Sequence, residues 1–120
     1  MKLNEELYAD IEKYKSYVII VEGKKDLFSL KALGFQKVYT IHETSVPIRE
    51  RVEQIAQIID KKDKVCILTD FDKKGKSLYL LLKSLFPEFG VRLDSSFRGL
   101  LLKAHLSHVE GLYHMITHSI

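Results

Sequence analysis

Three carboxylates in this chain stand beside glycine-bearing turns. Glu22 is followed directly by Gly23, and Asp70 and Asp72 form an Asp-x-Asp pair inside the segment TDFDKKGK. In an extended chain residues i and i+2 point to the same side, so the two aspartates can face one point. If Glu22 joins them, the three charges repel. One pair at ~4 Å costs about 1 kcal/mol in bulk water and about 4 kcal/mol at an effective dielectric of ~20. A raised carboxyl pKa or a bound cation relieves that cost. Oxygen-only donors at a wet site suit Mg²⁺ or Mn²⁺, ions that keep several waters and often hold a phosphate as well.

The neighbouring residues fit phosphate chemistry. Lys73, Lys74 and Lys76 follow the aspartates, and Lys24 and Lys25 follow Gly23. Lysines hold phosphate as point charges. Gly75 lets backbone approach a ligand, and Thr69 offers a hydroxyl. A helix opening after Asp72 would present its free N–H groups to the same space. Glu22 is then the general acid or base, or a further metal ligand. Taken singly, these features are ordinary. An Asp-x-Asp is more often a turn or helix-cap device, and Asp26 reads most simply as a helix N-terminal acid favoured by the macrodipole. Specificity lies in the joint pattern of strand-Glu-Gly-x-x-Asp followed by strand-Thr-Asp-x-Asp-x-x-Gly.

That pattern needs particular elements. Residues 17–21 (YVIIV) form a β-branched and apolar run without alternation, as expected of a strand covered on both faces of a parallel sheet. Residues 37–41 and 64–69 read as further strands, and residues 91–93 as a short fourth. Between them the apolar residues recur at helical spacing: Leu27, Leu30 and Leu33; Ile48, Val52, Ile55 and Ile59; Leu78, Leu81, Leu82 and Leu85. Gly34 is placed to cap the first of these helices, Pro47 to open the second and Pro87 to stop the third. Leu3, Leu7, Ile11 and Tyr14 give an N-terminal helix over about 3–15, and a last helix is expected over about 97–118, bent at Gly111. The alternation predicts an α/β fold of about four parallel strands with helices on both faces. Ligands of such sheets bind beyond the C-terminal strand ends, where Glu22 and Asp70 would stand.

The segments YVIIVEGKKD and VCILTDFDKKGK resemble the two signature segments of the Toprim domain. That domain is shared by topoisomerases, bacterial-type primases, overcoming-lysogenization-defect nucleases and small ribosomal-RNA maturases. The resemblance spans about residues 16–95. It implies a Rossmann-like Toprim fold, a catalytic or acid–base glutamate at Glu22 and a metal-binding acid pair at Asp70 and Asp72. Gly23 and Gly75 match the motif glycines, and Asp26 matches an acid of the nuclease and primase versions. In 120 residues there is no room for a topoisomerase's tyrosine-bearing domain or a primase's zinc module, so a small stand-alone Toprim protein of one domain, 1–120, is expected.

Composition agrees with a globular chain. Hydrophobic residues make up 46% and charged residues 29%, and the net charge is +3, which excludes a disordered or collagenous chain. The single cysteine, Cys66, rules out an internal disulfide framework and suits a reducing cytoplasm. The N-terminus, MKLNEELYADIEKYK, lacks the apolar core of a signal peptide. No apolar run approaches the ~20 residues of a membrane span. Among the remaining residues, His105 and His108 fall on one face of the last helix and His114 and His118 on the other, so the four cannot form one site on a straight helix. Arg98 reads as a solvated arginine, Cys66 as a buried apolar residue, and Tyr8, Tyr14 and Tyr17 as packing residues.

The function expected is Mg²⁺- or Mn²⁺-dependent processing of nucleic acid, DNA or RNA, by metal-assisted phosphodiester cleavage, with the five lysines holding backbone without reading sequence. One rival is a non-catalytic module that binds nucleic acid, or serves a protein partner that supplies missing domains. Another is a phosphate-transfer enzyme for small molecules. No membrane partner is expected, and a homodimer is compatible with everything above.

Overall fold

A computed structural model of the chain describes residues 5–43, 45–104, 109 and 111–112. Helix α1 (Glu5–Glu12) runs into a 3-10 turn (Lys13–Ser16), and then come β1 (Val18–Val21), α2 (Lys24–Ala32), β2 (Lys37–Thr40), α3 (Ile48–Ile58), β3 (Val65–Ile67) and α4 (Lys73–Leu85). A second 3-10 turn (Phe86–Phe89) and α5 (Ser96–Lys103) complete the described elements.

The sheet has the order β2-β1-β3, all parallel, with Ile19 opposite Val38 on one side and Cys66 on the other. All four residues of β1 are buried. Their side chains alternate between two cores, because successive strand residues point to opposite faces. Ile19 and Val21 meet Leu30, Phe35, Phe97 and Leu101 on one face, while Val18 and Ile20 meet Val52, Ile55, Leu82 and Phe86 on the other. Thus α2 and α5 cover one face, and α3 and α4 cover the other. Gly34, with φ +100°, ends α2 as expected: its N–H donates to the Lys31 carbonyl and that of Phe35 to Leu30.

Two expected elements come out differently. The fourth strand at residues 91–93 shrinks to a single parallel bridge between Val65 and Leu93. Gly90 (φ +80°) turns the chain just before it. Just after it the Asp94 carboxylate accepts the Ser96 N–H at 2.8 Å, so the chain bends into α5 once Asp94 N–H has reached the Val65 carbonyl. The last helix does not run unbroken over 97–118. It ends at Lys103, Ala104 and Val109 lie in turns, and residues 111–112 are helical again. The break returns Val109 and Leu112 to the core, where both are fully buried. His105, His108, His114 and His118 lie outside the described residues.

Candidate functional site

The chain leaves β1 for β2 on one side and then crosses to β3 on the other. The strand order therefore reverses between β1 and β3, and the crevice at their C-terminal ends is the place where such sheets bind ligands. Glu22 follows β1, and Asp70 lies just beyond β3. The Asp70 N–H donates to Glu22 Oε2 at 2.8 Å, so the two acids meet across this crevice. Asp70 Oδ1 in turn accepts the Val109 N–H at 2.7 Å. Each carboxylate thus has one oxygen fixed by a backbone donor. Among the described residues the second oxygen of each takes no hydrogen bond.

Asp72 is oriented differently. Strand β3 ends at Ile67, and Asp72 lies in a bend, where the side-chain alternation of a strand no longer applies. Its Oδ1 accepts the Gly75 N–H at 2.7 Å and caps α4. Among the described residues no three of His, Cys, Asp and Glu form a group that could hold a metal ion. Glu22 and Asp70 are brought together, while Asp72 stands close in sequence but is turned to the helix. The donors are all hard oxygens, the class that suits Mg²⁺ or Mn²⁺, and for Glu22 and Asp70 a backbone N–H orients each carboxylate as outer partners orient metal ligands.

The lysines surround this crevice at two helix N-termini. Lys24 and Lys25 occupy the first turn of α2, and Lys73, Lys74 and Lys76 that of α4; all five are exposed. Asp26 is buried in the α2 first turn and accepts the Gly23 N–H in a capping-box arrangement at 3.4 Å. The two motif glycines differ. A Cβ on Gly23 would meet nothing within 4 Å, so open space lies beside Glu22. A Cβ on Gly75 would stand 2.1 Å from the Asp70 carbonyl oxygen. The close approach that Gly75 permits is made by the protein's own acid loop. Thr69 is also engaged internally: it is fully buried, and its hydroxyl donates to the Gly75 carbonyl at 2.7 Å.

Arg98 was expected in solvent and is buried, with 8% of its surface exposed. Its Nη1 donates to the Thr69 carbonyl at 2.5 Å and to Thr69 Oγ1 at 3.2 Å, and Nη2 donates to the Asp70 carbonyl at 3.2 Å. Its Cζ lies 4.5 Å from the centre of the Phe71 ring and 4.3 Å from that of Tyr79. Burial lowers the Arg98 pKa, against the opposing pull of Tyr79, Cys66, Asp70 and Glu22. Only its position three residues before Leu101, on the buried stripe of α5, marks Arg98 in the sequence; the two rings that hold it come from other segments. Cys66 lies in β3 as expected, and burial pushes its thiol up to about 12, which makes it inert as a nucleophile.

Comparison with known proteins agrees with this fold. The Toprim domain profile matches residues 17–98. A UPF0292 protein of Methanosarcina barkeri is 30% identical over 94% of this chain and 80% of its own length. Another UPF0292 protein, from Pyrococcus horikoshii, is 33% identical over 88% of this chain and 80% of its own length. A solved protein structure from Aquifex aeolicus superposes with a TM-score of 0.73 at 26% identity, covering 92% of this chain and 99% of the other. Among the described residues no helix is long and apolar enough to cross a membrane.

Proposed function

We propose, from the premise that this chain belongs to the Toprim domain family, that it is a Mg²⁺- or Mn²⁺-dependent nucleic-acid-processing protein that cleaves phosphodiester bonds. The observation that carries the reading is the Asp70 N–H···Glu22 hydrogen bond at the reversal of strand order. It ties the Glu22 carboxylate to the backbone of Asp70 in a crevice flanked by two lysine-bearing helix N-termini. Glu22 and Asp70 would hold the ion, with Asp72 joining by a side-chain rotation away from its cap. A bound Mg²⁺ supplies Lewis-acid stabilisation of the phosphate and a more acidic water. The chain's own contribution is positional and protonic. Lys24, Lys25, Lys73, Lys74 and Lys76 hold phosphate oxygens by charge, the open space beside Gly23 admits the backbone, and a Glu22 oxygen accepts the proton of the attacking water.

The lone buried cysteine supports work in a reducing compartment such as the cytoplasm. The small-molecule phosphate-transfer reading is less well supported, since the Thr69 hydroxyl beside Asp70 is buried and committed to the Gly75 carbonyl. The absence of a closed three-acid group among the described residues favours one second reading, a module that binds nucleic acid without cutting it. End-labelled DNA and RNA oligonucleotides incubated with the protein, with and without Mn²⁺, separate the two. Cleavage that needs Mn²⁺ and is lost in Glu22→Gln, while binding persists, supports the enzyme. Binding without cleavage by the wild type supports the module, and no binding at low salt refutes both.

A further inference from the structure

In a parallel sheet alternate residues of a strand turn their backbone groups to opposite neighbours. Lys64 O and Leu68 N bond to β1, so Val65, Ile67 and Thr69 turn theirs toward the open edge of β3. A full fourth strand would supply donors along that edge, but here the chain reaches only the Val65 carbonyl. The Thr69 carbonyl, at the start of the acid loop's TDFD segment, would be left bare. Arg98 fills the vacancy from α5, and the same guanidinium reaches the next carbonyl, that of Asp70.

We infer that Arg98 is the positioning residue of the acid site. By holding the carbonyls of Thr69 and Asp70, the forked guanidinium fixes the orientation of the intervening peptide, and with it the Asp70 N–H that grips Glu22. Three features make this more than packing. The guanidinium is held against two aromatic rings, so it is located before it bonds anything. Among the described residues no carboxylate lies within ion-pair distance of it, so its charge is not consumed locally. Among the described residues its side-chain hydrogen bonds reach only Thr69 and Asp70, at the start of the acid loop. A buried charge directed to carbonyls costs desolvation that a leucine would avoid, and what it gains here is a fixed loop beside two like-charged carboxylates. The role of Glu22 and Asp70 as the working acids rests on the function proposed above, but the clamp itself does not.

The test compares wild type, Arg98→Met, Arg98→Lys and Leu101→Ala. Leu101 is fully buried on the same helix, in the core that also holds Phe71, and makes no hydrogen bond to the acid loop, so it reports loss of packing without loss of the clamp. The readouts are the Asp70 amide resonance with its hydrogen-exchange rate, and Mn²⁺ affinity measured by proton relaxation. In Arg98→Met the Asp70 amide should move upfield and exchange at least tenfold faster, and Mn²⁺ affinity should fall about tenfold, while Leu101→Ala leaves the amide position and the affinity unchanged. Arg98→Lys keeps the charge without the fork. It should recover stability but not the amide position, and it carries the test if Arg98→Met does not fold. An unchanged Asp70 amide in whichever Arg98 variant folds overturns the inference. If the wild type binds no Mn²⁺, the metal reading fails on its own, and the Asp70 amide still decides the role of Arg98.

Discussion

Gly75→Ala should destabilise the protein and Gly23→Ala should not, although both glycines belong to the same sequence pattern. At Gly75 a Cβ would sit 2.1 Å from Asp70 O, 2.6 Å from its carbonyl carbon and 2.9 Å from its Cα. Alanine gains up to about 1 kcal/mol over glycine inside a helix. Against that, the Asp70 peptide must retreat by about 1 Å to restore ordinary contact, an overpacking cost of roughly 1–3 kcal/mol. The carbonyl that moves accepts from Arg98, and the Asp70 N–H on the other side of the same Cα donates to Glu22, two charge-assisted hydrogen bonds worth about 1.5–3 kcal/mol each when intact. Even partial loss of both leaves a net destabilisation of about 2 kcal/mol or more. For a chain of this size that lowers Tm by roughly 6–10 °C. At Gly23 the backbone is extended (φ −148°) and the space is open, so alanine is expected to be neutral or to stabilise by about 0.4–1 kcal/mol through the unfolded chain. Urea denaturation of the three proteins, read by far-UV circular dichroism, decides the matter. A Gly75→Ala midpoint at or above that of wild type would mean that the acid loop is not packed on α4 as described.

Two further perturbations probe the surface. Replacing Lys73, Lys74 and Lys76 together by alanine should leave the fold intact, since all three are exposed, yet weaken oligonucleotide binding equally for all sequences and flatten the log–log salt slope by about 2–3 on duplex DNA. A slope equal to that of wild type in a fluorescence-anisotropy salt titration would remove these lysines from the interface. Asp94 is held below its ordinary 3.8, first by the Ser96 hydroxyl and then by the Ser96 N–H. Its ionised form therefore adds stability that is fully present above about pH 4–5 and is lost as pH falls through the lowered folded value. Asp94→Asn should reduce stability at pH 7 and flatten the decline between about pH 5 and 2; parallel acid-denaturation curves for the two proteins would contradict that assignment.

What could be read in the sequence follows from how local each signal is. Residues 18–21 and 65–67 are strands because unbroken β-branched runs fit a sheet covered on both faces, and the helices between them follow the apolar spacing. Their order put Glu22 and Asp70 at neighbouring strand ends, and the hydrogen bond between them was within reach of that reasoning. The i, i+2 rule misplaced Asp72 because it assumed that β3 continued. A helix N-cap competes for an aspartate just before a lysine- and glycine-bearing first turn, and the cap prevails. The fourth strand was overread for a similar reason, since three apolar-flanked residues between Gly90 and an Asp94 turn can make one bridge and no more.

Arg98 marks where local reasoning stops. Its burial depends on Phe71, Tyr79 and two carbonyls that only the folded sheet edge brings together. The missing strand and the buried arginine are one fact seen from two sides. Had residues 91–93 extended into a full strand, backbone donors would have covered the β3 edge, and a charged side chain there would be displaced. Because the chain turns away at Asp94, one side chain does the work of several peptide groups, and it is free to hold a non-strand peptide, that of Asp70, in a direction a strand ladder would not impose. On this view the short fourth strand leaves the open edge of β3 to a side chain, and that side chain reaches the acid loop. The Thr69 carbonyl and the Asp70 N–H belong to one peptide that faces both ways: Arg98 covers the carbonyl on the open edge of β3, and Glu22 takes the N–H on the β1 side.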